Sequence, residues 1–266
     1  MKKLFKIVGW VLLFCFLTIL TQIGGIVLLL SLWISKFWKK EFKFKLLLIF
    51  LVSYLFITFL IVPFVAPIFG REKIRHSEKI KPTNYISILL NRNYVVPKLN
   101  NLLSATALRL KDSEIEISYL DANFPFINKF PLLPHLSHND GKKIDISLIY
   151  EAKNGKISNK QKSISGYGVF EKPKENEYNQ IKECKSNGYF QYDYPKYLTF
   201  GKINSELWFS ERGTKKLINF ILKNNGLGKM FIEPHLKSRL KLTNSKIRYH
   251  GCRAVRHDDH IHIQLK

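Results

Sequence analysis

Three histidines and two carboxylates lie within the last ten residues of the chain, between His257 and His262. Polar and apolar residues alternate from 260 to 265, which predicts a β-strand with His260 and His262 on one face and apolar side chains on the other. Imidazole is the commonest metal ligand among side chains. A lone His-x-His pair near a terminus more often lies on the surface, so a metal site requires a second cluster of ligands.

A second cluster lies near the middle of the chain, where His138 precedes the turn 139–141 and Asp145 follows it. The Asn-Asp-Gly turn lets the chain double back, and the alternation after it predicts a strand with Asp145 on its open face. Together with one histidine of the tail, these residues make a set of two imidazoles and one carboxylate. Three such ligands with a fourth position for water are typical of catalytic zinc, whereas structural zinc is usually closed by four ligands. The spacing therefore predicts a catalytic type of zinc site.

The two motifs resemble those of the penicillin-insensitive murein endopeptidases, in the superfamily of lysostaphin-type and D-Ala-D-Ala metallopeptidases. Ser-His-x-x-Gly-x-x-x-Asp-Ile is present at 137–146, and His-Asp-x-His-x-His is present at 257–262. The stretch 230–237 resembles the family's strand, proline and short helix. The resemblance covers roughly residues 95 to 266, with a gap in the middle.

The resemblance implies an enzyme that hydrolyses a peptide bond in peptidoglycan. The bond would lie either in a D-alanine-containing cross-link (endopeptidase) or at the end of a stem peptide (carboxypeptidase). It implies roles for six residues: His138, Asp145 and His262 as ligands of Zn²⁺, His260 as the catalytic histidine, and His135 and His257 as further site residues. Two other functions stay open. One is a catalytically silent zinc-binding or wall-binding scaffold, against which the presence of His257 and His260 argues. The other is a metallopeptidase that acts on other peptides.

Two positions depart from the family's pattern. Lys143 stands where an acidic residue is usual, and Asp259 stands where an aromatic residue usually precedes the second histidine of the tail. Some relatives in the superfamily use a carboxylate three residues ahead of the last ligand as general base, and Asp259 has that spacing from His262. Asp259 is therefore a candidate catalytic residue, and the alternative is that it faces solvent beside Asp258.

The N-terminal part of the chain contains two apolar runs without charge, at 7–35 and 46–69. Each exceeds the roughly 20 residues that cross the hydrocarbon core of a bilayer, and the first is longer than the apolar core of a cleavable signal peptide. We expect a two-helix transmembrane hairpin over 1–70. Lysines flank both runs, so the charges do not decide the orientation. The family resemblance favours a catalytic domain on the exterior, facing the wall.

The predicted fold beyond the membrane is α+β, with flanking helices and a small, mostly antiparallel sheet that carries the zinc site. We expect a linker or added layer at 71–94 and one metallopeptidase-like domain at 95–266, with a polar insertion at about 151–200. Apolar residues repeat at helical spacing in 98–111 and again near 214–223. Strands are predicted at 114–120 and 228–233.

The formal net charge is +23, and Glu41 is the one acidic residue among the first seventy. This charge favours anionic lipid headgroups or anionic wall polymers as partners; no nucleic-acid-binding motif is present, so nucleic acid is not expected. Cys15 lies in the first apolar run. Cys184 and Cys252 either form a disulfide outside the cytosol or are both free. The sequence does not define an oligomeric state.

Overall fold

The computed structural model describes residues 1–266 and shows an α+β protein with nine α-helices and eleven short strands. The helices are α1 (Lys2–Thr21), α2 (Gly24–Phe37), α3 (Lys45–Phe56), α4 (Val62–Val65), α5 (Ile86–Leu89), α6 (Pro97–Arg109), α7 (Gln180–Ser186), α8 (Glu211–Leu222) and α9 (Pro234–Arg239). The strands are β1 (Glu72–Lys73), β2 (Ile80–Pro82), β3 (Tyr94–Val95), β4 (Ile117–Tyr119), β5 (Lys143–Ser147), β6 (Tyr150–Glu151), β7 (Ile157–Ser158), β8 (Trp208–Phe209), β9 (Leu227–Phe231), β10 (Ile247–Arg248) and β11 (His260–Leu265).

The chain divides into two compact units that interleave along the sequence. The first unit comprises residues 1–74, 86–97 and 122–141, and the second comprises 75–85, 98–121 and 142–266. The region 71–94, predicted as a linker or added layer, thus contributes segments to both units. The 122–141 loop, which carries His135 and His138, is grouped with the N-terminal helices.

The first apolar run forms two helices instead of the single helix predicted over 7–35. Helix α1 ends at Thr21 and α2 begins at Gly24, because Gln22 adopts a left-handed conformation with φ of 67°. The Thr21 hydroxyl accepts a hydrogen bond from the Gly24 N–H at 2.8 Å. Helix α2 packs against α1, and a Cβ atom at Gly25 would lie 2.1 Å from Thr18 Oγ1. The break therefore depends on small residues at the start of α2.

Two helical segments are long and apolar enough to cross a membrane, by length and composition: Lys2–Thr21 and Lys45–Phe69. The second segment includes α3, a π-helical turn, α4 and a final 3₁₀ turn. Large apolar side chains of α1 are exposed, including Phe5, Leu12 and Phe16. Extended apolar surface of this kind is rare on soluble monomers. The exposed apolar surface of α1 is compatible with contact with lipid.

The main sheet of the second unit has six strands in the order β10-β9-β11-β5-β4-β2. The three inner pairings, β9–β11, β11–β5 and β5–β4, are antiparallel, and the two outer pairings are parallel. The sheet is therefore mixed, and the antiparallel arrangement that we predicted holds for its four central strands. Ile261 and Ile263 of β11 are fully buried opposite Ile146 and Ile144 of β5, so one face of this strand pair belongs to the core.

Two helices of the second unit follow the predicted apolar spacing. Helix α6 buries Leu99 and Leu103 together with the polar residues Asn100 and Thr106, and the Thr106 hydroxyl donates to the Leu102 carbonyl at 2.8 Å. Helix α8 begins after Ser210, whose side chain accepts a hydrogen bond from the Gly213 N–H. The opposite face of α8 is polar and includes the exposed residues Arg212, Lys216 and Asn219.

The polar insertion is structured. It contains β6 and β7, which form a three-stranded sheet with β8, and it also contains α7 and a 3₁₀ segment at Phe190–Tyr197. Cys184 of α7 forms a disulfide with Cys252, with a Cα–Cα distance of 5.2 Å. The first of the two cysteine alternatives is the one found, and the disulfide ties the insertion to the loop that leads into the histidine tail.

Candidate metal centre

The pairing of β5 with β11 brings Asp145 and His262 together. The strand register places these two residues directly opposite each other. His262 Nδ1 lies 2.8 Å from Asp145 Oδ1, and both side chains are almost fully buried. His260 lies two residues earlier on the same face, with its Nε2 atom 3.7 Å from Asp145 Oδ1. One carboxylate oxygen therefore faces two imidazoles, and these share one face of β11 as the alternation of the tail predicted.

His138 lies in a loop whose hydrogen bonds fix the orientation of its ring. Its Nδ1 atom is 2.7 Å from the Ala122 carbonyl oxygen. Because a carbonyl only accepts, Nδ1 carries the proton, and the lone pair is on Nε2, the arrangement that second-shell partners impose on metal-binding histidines. The Gly141 N–H donates to Asn123 Oδ1 at 3.0 Å. Gly141 itself has a φ of 78°, which favours glycine at this turn.

His135, His138 and Asp145 each offer one ligand atom, and these three atoms all lie within 4.8 Å of one another. Two donors of one tetrahedral zinc ion are about 3.3 Å apart, since Zn–N and Zn–O bonds are about 2.0–2.2 Å. The group can hold a metal ion after small movements of the side chains. Imidazole nitrogen and carboxylate oxygen suit several divalent first-row metals, so the donor set fits the predicted ion. His135, predicted only as a further site residue, is thus a candidate ligand as well.

Asp259 and His260 form a buried carboxylate–imidazole pair. Asp259 Oδ1 lies 2.5 Å from His260 Nδ1, and its Oδ2 accepts the Gly168 N–H at 2.6 Å. Asp259 is only 1% exposed, and Asp258 beside it is fully buried against Arg256. Neither carboxylate faces solvent, so that alternative for Asp259 is wrong. Its contacts are those of a residue that orients His260.

The electrostatic surroundings of His260 favour the charged imidazolium. Burial alone lowers the pKa of this ring, but Asp145 and Asp259 outweigh it and raise the pKa to about 9. His257 lies beside it, with 4.9 Å between the ring centroids. Burial, together with His260 and His262, holds the pKa of His257 well below its ordinary value, so His257 is neutral.

Tyr167 is a site residue that the sequence analysis did not identify. Its hydroxyl donates to Asp145 Oδ2 at 2.8 Å, and its ring makes an edge contact with His260 at 5.1 Å. Burial and the nearby carboxylate Asp145 raise the pKa of Tyr167 well above its ordinary value, so the hydroxyl remains a donor. Positive φ angles at Gly166 and Gly168 shape this turn of the insertion. The only feature of the sequence that could have indicated Tyr167 is its place in a Gly-Tyr-Gly sequence within a polar stretch.

The loop before β11 is held by a buried glutamate. The His257 N–H donates to Glu233 Oε1 at 2.9 Å, and the Glu233 N–H donates to the His257 carbonyl at 3.1 Å. The Tyr192 hydroxyl lies 2.6 and 2.8 Å from the two carboxylate oxygens of Glu233. His250, also absent from the predicted set, places its ring centroid 5.3 Å from that of His257. Lys143, the other departure from the family's pattern, lies on β5 opposite Gln264.

Replacing Tyr167 with phenylalanine removes one hydrogen bond to Asp145 and keeps the ring. Because second-shell partners of ligating carboxylates typically change metal affinity by about 10- to 100-fold, we expect Tyr167→Phe to weaken zinc binding about tenfold. Competition with a chromogenic chelator measures the affinity. Tyr85→Phe, at an exposed position of the same unit, is the matched control. Equal affinity in the two variants would show that the Tyr167 hydroxyl does not orient the ligand.

Asp259→Asn tests whether Asp259 acts through His260. The substitution keeps the shape of the side chain but removes the charge that faces His260 Nδ1, and we expect kcat to fall by up to about 10,000-fold at unchanged zinc content. Residues that act as a unit are not additive, so Asp259→Asn combined with His260→Ala should be no slower than His260→Ala alone. A further loss in the double variant, measured by single-turnover kinetics, would assign Asp259 a separate role as general base.

The chain matches no known protein-family model, and no significant match to it exists among curated proteins.

Proposed function

We propose that this protein is a membrane-anchored zinc peptidase that hydrolyses a peptide bond in peptidoglycan. The observation that carries the proposal is the convergence of Asp145 with His262 next to the Asp259–His260 pair. A ligand site alone would suit a structural metal, whereas a second imidazole oriented by its own carboxylate is an acid–base device. The choice of peptidoglycan is supported by the two motifs that resemble murein endopeptidases and by the net charge of +23.

The residues that would hold zinc are His138 and Asp145, with a third donor from His135, which the structure groups with them, or from His262, which lies outside that group but has its Nδ1 atom 2.8 Å from Asp145 Oδ1. When bound, zinc supplies a Lewis acid that polarises the scissile carbonyl and lowers the pKa of an attacking water. Hydrogen bonds within the protein orient two of these ligands before any metal binds. Ala122 fixes the tautomer of His138 and Tyr167 holds the second oxygen of Asp145, so both ligands are oriented by hydrogen bonds.

His260 is placed to act on the reacting group. Its Nδ1 atom donates to Asp259, which leaves Nε2 directed toward Asp145. When the ring is protonated, with Nδ1 donating to Asp259, Nε2–H can donate to the oxygen that becomes negative in the tetrahedral intermediate. The same atom can then deliver a proton to the leaving amine. His257 is neutral, so it packs its ring beside His260 without adding a charge to the site.

We also propose that the catalytic unit faces the exterior. The wall polymer lies outside the membrane, and the Cys184–Cys252 disulfide is of the kind that persists in oxidising compartments and is rare in the cytosol. The exposed apolar side chains of α1 and the length of the Lys45–Phe69 segment support anchoring in the bilayer.

Digestion of purified muropeptides by the full-length, zinc-loaded protein in nonionic detergent tests the proposal, with His260→Ala as the matched control. Release of monomers from cross-linked dimers means endopeptidase activity, and loss of a terminal D-alanine means carboxypeptidase activity. A folded, zinc-bound protein that cleaves neither substrate would overturn the peptidoglycan assignment. Cleavage of ordinary L-peptides would then support the broader peptidase, and binding to isolated sacculi without turnover would support the scaffold.

A further inference from the structure

A basic cleft lies on the outer side of α8, in the second unit and outside the candidate metal centre. Its volume is about 770 Å³, and it is lined by α8 together with the loop 241–244 and Ile247 of β10. Five of its lining side chains are cationic, and none is acidic: Arg212, Lys215, Lys216, Lys223 and Lys241. A concave surface with five positive charges attracts a ligand with several negative charges.

The acidic residue nearest along α8 does not neutralise the cleft. Glu211 is next to Arg212 in sequence but pairs with Lys174 at 3.2 Å. Elsewhere in the same unit, Arg239 is paired with Glu177 and Arg256 with Asp258. The cleft thus contains cations without acidic neighbours, whereas these two arginines elsewhere in the unit are paired with carboxylates. The proposed peptidase chemistry does not use any of these cations.

The other lining groups indicate what kind of anion fits. Phe220 is the one aromatic residue in the cleft, and the Lys216 and Lys223 ammonium groups lie over its ring at 5.9 and 5.2 Å from the centroid. Binding of single-stranded nucleic acid depends on several aromatic side chains on which successive bases stack, and a single ring with two cations beside it does not provide such a row. Asn219, Thr243 and Asn244 add neutral hydrogen-bond donors and acceptors between the charges. These groups can form hydrogen bonds with hydroxyl groups of a ligand.

We propose that this cleft binds a flexible, hydroxyl-rich polymer with repeated phosphodiester groups, an anionic polymer of the wall, and so holds the enzyme at its substrate. The proposal rests on the proposed function only for the location of the polymer. Three cations lie in the first half of α8, Lys223 lies directly after its end and Lys241 lies on the facing loop, so together they can engage successive phosphates of one chain. A flat bilayer surface reaches a concave site of this kind less well than a thin polymer does.

The test is binding of a fluorescent synthetic poly(glycerol phosphate) decamer to the full chain in phosphatidylcholine nanodiscs. We compare the wild type with Lys216→Gln/Lys223→Gln/Lys241→Gln, which removes three charges and keeps most of each side chain. The control is Lys182→Gln/Lys202→Gln, at exposed positions of the same unit. Since each exposed ion pair contributes modestly, we expect Kd to rise about tenfold in the triple variant and to stay unchanged in the control.

Each outcome of this experiment decides for or against the cleft. Equal Kd values in the wild type and the triple variant would overturn the proposal. Stronger competition by a thymidine decamer, or by vesicles containing phosphatidylglycerol at equal phosphate concentration, would overturn it in favour of nucleic acid or lipid. Hydrolysis of soluble muropeptides should be unchanged in the triple variant, so loss of polymer binding is separable from failure of the peptidase assignment. This activity, or the thermal unfolding curve where no activity is found, also shows that the variant is folded.

Discussion

Alanine in place of His138, Asp145 or His262 should lower the zinc content of the protein and abolish its activity. Each substitution removes one of the three assigned protein ligands and leaves an ion held by the other two and solvent, with His135 as a further candidate donor. The largest effect is expected for Asp145→Ala, because Asp145 Oδ1 contacts His262 and Oδ2 accepts from Tyr167. Elemental analysis of the purified variants gives zinc per chain, and muropeptide digestion gives activity.

Two comparisons make this result specific to the ligands. Asp145→Asn keeps the volume and a hydrogen-bond acceptor for Tyr167, so zinc loss in this variant reflects the missing charge instead of disrupted packing. His135→Ala decides between a three-donor and a four-donor site, since His135 lies within ligand distance of His138 and Asp145. Full occupancy in His135→Ala would support the three ligands assigned here. Full occupancy in any of the three main variants would show that the residue is not a ligand.

The local geometry of the site followed from sequence periodicity. Alternation in the tail and around Asp145 predicted which side chains share a face of each strand, and β5 and β11 have that arrangement. The prediction that Asp145 lies on an open face is wrong, because every residue of β5 is buried. The same reasoning predicted the buried face of α6, where Leu99 and Leu103 have no exposed surface. Such predictions succeed because the period of a strand or helix is a property of neighbouring residues, and burial of one face selects it.

The supporting contacts could not be obtained this way, because they join residues far apart in sequence. Gly168 donates to Asp259 across 91 positions, and Tyr192 reaches Glu233 across 41. Neither pair has a local pattern, and the insertion that supplies both donors has no sustained period. The break between α1 and α2 was missed for a different reason. Hydropathy is continuous through Gln22, whereas the helix ends there because of one left-handed residue.

His260→Ala should retain zinc while catalysis falls roughly 100- to 10,000-fold, the usual scale for removing a positioned acid–base group. His260 and His262 share one face of β11, but the two rings have different partners. His262 directs Nδ1 at Asp145, whereas His260 directs Nδ1 at Asp259 and its Nε2 atom is farther from Asp145, at 3.7 Å. The loss should appear in kcat more than in KM, because the interaction is made with the transition state.

His257→Ala provides the comparison that separates chemistry from packing. Its ring is also buried beside His260, but its backbone, which alanine preserves, makes the hydrogen bonds to Glu233. We expect full zinc content and a smaller fall in kcat than in His260→Ala. Measuring zinc and kcat in both variants gives a clear result: if His260→Ala loses zinc as completely as His262→Ala does, His260 is a ligand, and the assignment of His260 as the acid–base residue is wrong.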